Sequence, residues 1–332
     1  MAYMKENESA PGKILIIGDV ILEQNIIGRV GCSCSDSSVP VLNIKETMHY
    51  PGGAANIAAL IKAMGAEVTL AGVIGKDEEG ERLRRFLNQK NISSVLKVDG
   101  NRPTALMQRI GTEEELLIRL DKYHQDEIVN GIFHDILKVV TLLLEDVKLV
   151  VIVDYGKGLV TGSLLSTVCE VCQSKGIPVF MDLQCKNLFK KSSIEMIKIP
   201  YSSLEALYGH RIQNTDDMEK AANLVFTALG CKTLIVSWSP PAPNGVLLFR
   251  RYNDWIHFPL PVWMKSISSC ETEEIFMAAL IIAVSRSIPM DLACKQASEA
   301  IINRFINNNH IRDISSKAFM QAFTSSSRLK SP

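Results

Sequence analysis

Short apolar runs rich in β-branched residues alternate with helical patterns from Ile14 to Ser237, and no other feature constrains the fold as strongly. Strands are predicted at Ile14–Ile17, Glu67–Ile74, Leu149–Val153, Pro178–Asp182, Met196–Ile199 and Thr233–Ser237, and helices at Ala54–Met64, Glu78–Gln89, Asp126–Glu145, Leu164–Ser174 and Asp216–Leu229. This alternation implies right-handed crossovers, which make the strands parallel and cover both faces of the sheet with helices. The sequence therefore predicts one doubly wound α/β core.

Two stretches, Ile26–Met48 and Thr104–Asp121, have short alternating segments with no intervening helix, which favours antiparallel strands. We expect them to form a small β-sheet lid over the carboxyl ends of the core strands, where open α/β folds bind ligands. The prediction is one domain over residues 13–323, with lid insertions at about 24–49 and 102–122. Helical patterns return at Glu273–Ser285, Asp291–Asn307 and Ser315–Phe323, a disordered segment is expected over residues 1–12, and a loose tail over residues 324–332.

Composition narrows the class of protein. The chain has 332 residues, of which 47% are hydrophobic, and its formal net charge is +0. A neutral balance gives no electrostatic reason to expect nucleic acid or an anionic membrane as a partner. No apolar run approaches the roughly 20 residues of a membrane span, and Met1–Pro11 lacks the apolar segment of a signal peptide. We therefore expect a cytoplasmic protein.

The eight cysteines include two close pairs, Cys32-Ser33-Cys34 and Cys169-Glu170-Val171-Cys172. No second Cys-x-x-Cys or His pair completes a zinc site, and the second pair lies within a predicted helix, where small thiols usually pack in the core. The sequence predicts reduced structural thiols and no metal site.

A pair of glycines at the start of a predicted helix forms the first candidate site. Gly52 and Gly53 allow a ligand to approach backbone N–H groups, and Asn56, one turn into the helix, can hydrogen-bond hydroxyl groups. Asp19 follows the first predicted strand and adds a carboxylate. These residues predict a polyol site; an ordinary Gly-Gly loop, and a turn cap for Asp19, are the alternatives.

Three segments of the first half resemble ribokinase-like (PfkB) sugar kinases: Gly18-Asp19-Val20-Ile21-Leu22-Glu23, Val39-Pro40-Val41 and Pro51-Gly52-Gly53-Ala54-Ala55-Asn56-Ile57-Ala58. Within that superfamily, Leu117-Ile118-Arg119-Leu120-Asp121 and Asp154-Tyr155-Gly156-Lys157-Gly158 are similar to the heptose-7-phosphate kinase domain of bacterial ADP-heptose synthesis enzymes. The similarity runs from about Lys13 to Phe305. It implies a three-layer ribokinase-like fold with a lid, and a sugar or sugar phosphate as ligand.

The resemblance also assigns substrate-binding roles. Glu23 stands where the family usually has an Asp that helps to hold the sugar, and Asp154 belongs to a matching segment. Arg119 and Asp121 correspond to lid contacts with the phosphorylated substrate, and the planar guanidinium of Arg119 suits a phosphate. A salt bridge between these two residues is the alternative. Lys157 is either a phosphate ligand or a solvated lysine in a turn.

The second half departs from the family where ATP would bind. Pro200-Tyr201-Ser202-Ser203 replaces an Asn-x-x-Glu motif that organises Mg²⁺ and phosphates, and Glu205, which matches the family pattern, is interpreted as a solvated first-turn residue. Asp182-Leu183-Gln184 replaces Asp-Pro-Lys and loses the ammonium. The turn from Ser237 to Gly245 is longer and richer in proline than the family's Thr-x-Gly-x-x-Gly turn. Asp182, Gln184 and Gly245 are the remaining candidates for a nucleotide site.

The family's glycine-rich anion cradle aligns with Glu271-Thr272-Glu273-Glu274. A cradle binds the transferring phosphate through backbone N–H groups at a helix N-terminus, and acidic side chains there oppose the phosphate charge. Glu274 takes the place of the catalytic Asp and is the single candidate general base. The favoured interpretation of Glu271, Glu273 and Glu274 is nevertheless an acidic helix N-terminus of a type common on surfaces.

These departures predict a sugar-kinase homologue that binds a sugar or sugar phosphate without efficient phosphate transfer from ATP and needs no cofactor. The alternative is a divergent heptose-7-phosphate or related sugar kinase that uses ATP, Mg²⁺ and Glu274. We expect a homodimer through the lid, because small exposed sheets leave strand edges that a second copy commonly covers. An active paralogue is a further candidate partner.

Overall fold

The computed structural model describes residues 12–31, 41–184, 192–237, 245–250, 254–261 and 269–306. Its strands are β1 (Lys13–Gly18), β2 (Val20–Val30), β3 (Leu42–Gly53), β4 (Val68–Gly75), β5 (Ser93–Asp99), β6 (Ala105–Gly111), β7 (Leu116–Lys122), β8 (Val147–Asp154), β9 (Val179–Leu183), β10 (Ile194–Pro200), β11 (Cys231–Ser237), β12 (Gly245–Arg250) and β13 (Asp254–Pro259). Its helices are α1 (Ala54–Ala63), α2 (Glu78–Gln89), α3 (Asn130–Leu143), α4 (Gly162–Ser174), α5 (Tyr201–Tyr208), α6 (Thr215–Leu229), α7 (Ser269–Ser285) and α8 (Met290–Ile306).

The large sheet has the strand order β13-β12-β11-β10-β9-β8-β1-β4-β5. Every neighbouring pair from β11 to β5 is parallel, and the antiparallel β12–β13 hairpin extends one edge. The predicted mostly parallel, doubly wound sheet is therefore confirmed. The sequence prediction omitted the half-exposed strand β5, the β12–β13 hairpin and the short helix α5. Strand β12 is a short apolar run between a proline-rich segment and an arginine pair.

Both faces of the sheet are buried, as strand β1 shows. Ile14 and Ile16 pack on one face with α1, α7 and α8, whereas Leu15 and Ile17 pack on the other face with α4 and α6. Alternate residues of a strand point to opposite faces, so a strand with helices on both sides must be apolar throughout. This explains why the core strands are continuous apolar runs.

The lid is a four-stranded sheet of order β3-β2-β6-β7. Its β2–β3 and β6–β7 pairs are antiparallel, as predicted, but β2 and β6 pair in parallel. Strand β2 begins at Val20, two residues after β1 ends, and β3 ends at Gly53, directly before α1. The β2–β3 pair therefore begins and ends at the carboxyl edge of the core sheet. Val20 and Gly53 lie where the lid meets the core.

Two helix boundaries differ from the prediction. The helix expected from Asp126 begins at Asn130, and the helix expected from Glu273 begins four residues earlier, at Ser269. The second difference moves Glu273 and Glu274 from a helix terminus into the body of α7. The expected helix Ser315–Phe323, most of the N-terminal segment 1–12 and the tail 324–332 lie outside the described residues.

The cysteine prediction is confirmed for one pair. Cys169 and Cys172 are buried free thiols on α4, and burial raises their pKa values to about 12 and about 11. The Cys32–Cys34 pair falls outside the described part of the chain. Among the described helices, none is long and apolar enough to cross a membrane.

Candidate functional site

The paired lid strands β2 and β3 meet the core at two glycines at the end of β3, Gly52 and Gly53, which allow close packing. Gly53 has φ +57°, and a Cβ there would lie 2.7 Å from the carbonyl oxygen of Asp19, which accepts a 3.0 Å hydrogen bond from Ala54 N. A Cβ on Gly52 would lie 2.7 Å from Oε1 of Glu23. Glycine is required at both positions because a larger residue would collide with these groups.

Glu274 is the centre of the site. Its Oε1 accepts hydrogen bonds of 3.0 Å from the backbone N of Gly53 and 3.0 Å from the hydroxyl of Tyr155, and its Oε2 accepts one from the side-chain amide of Asn56. The donors come from the start of α1 and from the turn after β8, so one carboxylate joins three elements. Gly53 and Asn56, predicted to bind ligand hydroxyls, here bind Glu274.

The favoured interpretation of these glutamates as an exposed acidic terminus is wrong for Glu273 and Glu274, which are both buried. The error follows from the earlier start of α7, which places the two residues against the core. The Glu271 side chain lies outside the described atoms. Tyr155 was not singled out from the sequence, although it lies within the recognised Asp154–Gly158 segment.

The electrostatic setting of Glu274 favours its protonated form. Burial and the neighbouring carboxylate of Glu23 raise the Glu274 pKa to about 8, against the opposing effect of the three hydrogen bonds. Glu23 is itself buried and lies 3.5 Å from Nη1 of Arg109, a lid residue that the sequence reasoning missed. A carboxyl group with a pKa near neutral is suited to proton transfer.

Asp19 supports the turn that follows β8. Its Oδ2 accepts hydrogen bonds from the backbone N of Tyr155 at 2.9 Å and of Lys157 at 3.0 Å, and Oδ1 of Asp154 accepts one from Gly156 N at 2.8 Å. Burial and the charge of Asp154 raise the Asp19 pKa to about 6. The turn-capping role left open by the sequence is thus present, and contact of Asp19 with a ligand stays a prediction.

The inner face of the lid carries the other predicted substrate residues. Strand pairing puts Asn25 opposite Arg109, Arg109 opposite Arg119, and Met107 opposite Asp121, so their side chains share one face with Glu23. Nε and Nη2 of Arg119 each lie 2.9 Å from a carboxylate oxygen of Asp121. The salt bridge that the sequence left as an alternative is therefore formed, on an exposed strand.

Lys157 lies beneath the lid with its Nζ 3.1 Å from the ring centroid of Tyr123, a cation–π contact. Lys157 and Asp19 both line a cavity of about 20 Å³, together with Arg102, Tyr123 and His124. Its volume suits one water molecule. Arg102 stabilises the turn after β8 by donating hydrogen bonds to the carbonyl oxygens of Lys157 at 3.0 Å and Asp126 at 2.8 Å. The sequence reasoning missed this residue.

A buried lysine occupies the side of the site where phosphate chemistry was expected. Lys198, on β10, places Nζ 2.9 Å from Asp182 Oδ1 and 3.2 Å from Glu273 Oε2. Although burial alone would lower the Lys198 pKa, the two carboxylates raise it to about 12. Gln184 donates to Asp182 at 2.6 Å, while Asp182 Oδ2 is buried and has no hydrogen-bond partner among the described residues.

The sequence reasoning missed Lys198 because it searched for the ammonium two residues after Asp182, in the position of Gln184. The available signal was a single lysine in the otherwise apolar end of β10, Met196–Pro200. A charged side chain at a fully buried strand position needs an oppositely charged partner. Lys198 therefore indicated a nearby carboxylate. The structure supplies it from the neighbouring strand β9.

The remaining candidates from the nucleotide half lie around α5 and β12. Glu205 accepts a 2.8 Å hydrogen bond from the backbone N of Ile212, so its interpretation as a solvated first-turn residue is wrong: it joins α5 to the following loop. Gly245 opens β12, and the turn at 238–244 lies outside the described residues. In the described part of the chain, no group of three or more His, Cys, Asp or Glu residues is arranged to hold a metal ion.

The backbone of α7 also bears on anion binding. Because the helix begins at Ser269, the N–H groups of Glu273 and Glu274 fall beyond its first four residues, where they bond to carbonyls of the preceding turn. A phosphate cradle needs N–H groups without intrahelical partners. At these two residues the helix therefore supplies no such donors.

Comparison with known proteins agrees with this architecture. Residues 13–264 match the pfkB family of carbohydrate kinases. The bifunctional protein HldE of Helicobacter hepaticus is 28% identical over 295 residues, covering 88% of this chain and 60% of the relative. HldE of Pseudomonas putida is 27% identical over 303 residues, covering 90% and 61%. The chain thus spans about 60% of the length of these curated relatives.

Solved structures with the same fold include phosphofructokinase-2 of Escherichia coli in its tetrameric inhibited form, with a TM-score of 0.74 and 18% identity over 96% of this chain and 100% of that one. Ribokinase of Arabidopsis thaliana, complexed with ribose and ATP, has a TM-score of 0.69 and 15% identity over 95% of this chain and 99% of that one. These likenesses confirm the ribokinase-like fold. Because the family match extends over residues 13–264, which is more than half of the chain, this protein belongs to the pfkB family of carbohydrate kinases.

The raised pKa of Glu274 predicts a pH dependence of stability. With a pKa of about 8 in the folded state and an ordinary value of 4.5 when unfolded, the folded protein holds an extra proton between those values. Its free energy of unfolding should therefore fall as pH rises through that window, by up to about 1.4 kcal/mol per pH unit. In urea unfolding experiments, the free energy of unfolding of Glu274→Gln should change less with pH than that of the parent. The control variant Glu195→Gln changes an exposed carboxylate paired with Lys232, and its free energy of unfolding should depend on pH as in the parent. The same pH dependence in the parent and in Glu274→Gln would contradict the assignment.

The buried position of Lys198 predicts a large stability effect. Lys198→Met leaves Asp182 and Glu273 without their shared cation and should lower the free energy of unfolding by about 3–5 kcal/mol. Lys232→Met, which breaks the exposed pair with Glu195 at 2.7 Å, should cost no more than about 1 kcal/mol. Chemical denaturation of the two variants measures both values, and similar losses would show that Lys198 is not compensating buried charge.

Proposed function

We propose that this pfkB family member binds a sugar or sugar phosphate between its core sheet and its lid, and transfers phosphate from ATP inefficiently or not at all. The observation that carries the proposal is the environment of Lys198. Among the described residues it is the one lysine that is fully buried, and two carboxylates already hold it. An ammonium neutralised in this way has little capacity to stabilise a transferring phosphate.

The sugar side supports ligand binding. Gly53 N–H, the Asn56 amide and the Tyr155 hydroxyl converge on one point, now held by Glu274. The same donors and acceptor suit sugar hydroxyls, which both donate and accept hydrogen bonds. A ligand hydroxyl would take over part of this network and exchange hydrogen bonds with the Glu274 carboxyl group.

The phosphate side supports the loss of transfer. Phosphoryl transfer depends on positioning and on cations or N–H donors aimed at the developing charge. Here Gln184 replaces a lysine, Tyr201 opens the helix where an Asn motif is expected, and Glu273 adds a carboxylate. Removal of one such donor typically costs roughly 100- to 1000-fold in rate, so several changes together favour binding over catalysis.

A second candidate function is an active ATP- and Mg²⁺-dependent kinase with Glu274 as general base. It is favoured by one observation: the Glu274 carboxylate is buried beside the predicted sugar-binding residues, and its pKa is raised to about 8. A base with a pKa near the working pH is efficient in proton transfer. In that case ATP and Mg²⁺ would be cofactors, and an active paralogue would not be needed.

Heptose 7-phosphate is the first ligand to test, because the Leu117–Asp121 and Asp154–Gly158 segments resemble heptose-kinase motifs. Arg119 on the lid and Lys157 beneath it provide cations for the phosphate. The whole activity of a bifunctional relative is not proposed for this chain, which spans about 60% of those proteins.

Ligand binding and turnover separate the two functions. Heptose 7-phosphate should raise the melting temperature, and Asn56→Ala or Arg119→Ala should each weaken its binding by roughly 10- to 150-fold, the equivalent of about 1.5–3 kcal/mol. Arg85→Ala, at an exposed arginine of α2, is the matched control and should bind like the parent. Mg-ATP should support no turnover above about 0.1 per second.

Faster turnover that Glu274→Gln abolishes would establish the kinase instead. Stabilisation that neither Asn56→Ala nor Arg119→Ala affects would place the ligand elsewhere.

We also propose a homodimer formed through the lid. Leu116, Ile118 and Leu120 lie on the outer face of β7, opposite to Arg119, and their exposed fractions are 57%, 48% and 44%. Covering a row of exposed apolar side chains on an edge strand with a second copy is favourable, because it removes apolar surface from water.

Light scattering should give twice the 36.7 kDa chain mass, and Ile118→Asp should reduce the measured mass to that of one chain. Leu142→Asp, at a leucine that is 70% exposed on α3, should leave the dimer intact; a parent of single-chain mass rules the dimer out.

A further inference from the structure

A second concave site lies on the face of the sheet opposite to α7. It is a groove of about 650 Å³ between the α5–α6 connection and the β12–β13 hairpin. Its floor is formed by Tyr201, Met218, Leu247 and Phe249, which belong to the core cluster on the α6 side, whereas α7 packs in the other cluster. The groove is therefore separate from the Glu274 site.

The wall of the groove is held in place without a ligand. Ile212 donates its N–H to Glu205 at 2.8 Å and accepts the Tyr201 hydroxyl at 2.8 Å, so both backbone groups are satisfied by side chains of α5. Asn214 caps α6 by accepting from Asp217 N at 2.9 Å. A preformed wall lowers the cost of ordering when a ligand binds.

Aromatic side chains form the other side. Strand pairing sets Leu247 opposite His257 and Phe249 opposite Trp255, which puts all four side chains on the groove face. The Phe249 and Trp255 rings lie 6.0 Å apart with a 32° tilt. Trp255 is 36% exposed, and its indole N–H is fixed on Glu219 at 3.1 Å. The ring therefore presents a positioned surface on which a planar group can stack.

One cation lies among the residues that line the groove, Arg211. Arg211 is exposed and makes no hydrogen bond or ion pair with any residue in the described ranges. The nearby carboxylates already accept from protein donors: Glu205 from Ile212 N, Asp217 from Gln213 N and Glu219 from Trp255. Arg211 is thus a lining cation without a partner in the described ranges, and its planar fork suits a phosphate.

We propose that this groove binds a mononucleotide, with the base against Trp255 and the phosphate on Arg211. The volume of about 650 Å³ falls within the range of about 300–1,000 Å³ typical of small-ligand pockets. Its lining combines an apolar and aromatic floor with polar side chains at the rim, which can fix the orientation of a ligand. The proposal is independent of sugar binding and of phosphate transfer, since the two sites lie on opposite faces of the sheet.

Calorimetry with AMP, in the absence of Mg²⁺, tests the assignment. The parent should bind AMP with a Kd below about 1 mM, and Arg211→Ala and Trp255→Leu should each weaken binding about tenfold or more. Arg85→Ala, the matched exposed arginine, and Glu274→Gln, on the other face, should bind AMP like the parent. Adenosine, which lacks the phosphate, should bind about tenfold more weakly than AMP.

The absence of saturable binding up to about 5 mM AMP, or binding that both substitutions leave unchanged, overturns the proposal. Equal affinity for AMP and adenosine overturns the role of Arg211. The melting temperature of each variant without ligand shows whether it folds. If Trp255→Leu does not fold, Trp255→Phe retains an aromatic ring and should bind with intermediate affinity; unchanged affinity in that variant contradicts stacking on the indole.

Discussion

The hydrogen bonds of the Glu274 carboxylate hold the site together. One buried side chain on α7 accepts from Gly53 and Asn56 at the start of α1 and from Tyr155 after β8. These donors lie in separate segments of the chain, and the β2–β3 pair of the lid begins at Val20 and ends at Gly53, one of the donors. The relation between core and lid therefore depends on an interaction that a ligand hydroxyl would have to share or replace.

Around this carboxylate the site has two chemically different halves. On the lid side, Arg109 and Arg119 share a face with Glu23 and supply cations that face acidic groups. On the opposite side, Lys198 is enclosed between Asp182 and Glu273. Buried charges that are fully paired are poor ligands for a further charge, because breaking the pair leaves an uncompensated ion. This asymmetry is the basis of our proposal that the chain binds a sugar without efficient phosphate transfer.

Much of the fold was predictable because parallel strands covered on both faces leave continuous apolar runs, as β1 and β8 do. The glycines and Asn56 were likewise found at the site. Lys198 and Arg109 were missed because each acts across a strand pair, and single-sequence patterns carry no register between strands. The position of Glu274 was misjudged because local sequence defines helix boundaries only to within a few residues, and a four-residue change turns a surface terminus into a buried site.

A crystal structure of the protein with heptose 7-phosphate and a non-hydrolysable ATP analogue tests the central claim most directly. The account predicts the sugar phosphate between core and lid, with a hydroxyl in contact with Glu274 and Asn56, and Lys198 still held between Asp182 and Glu273 with no triphosphate beside it. A triphosphate bound next to Glu274, with the Lys198 ammonium released to contact it, would contradict the account and establish the chain as a kinase.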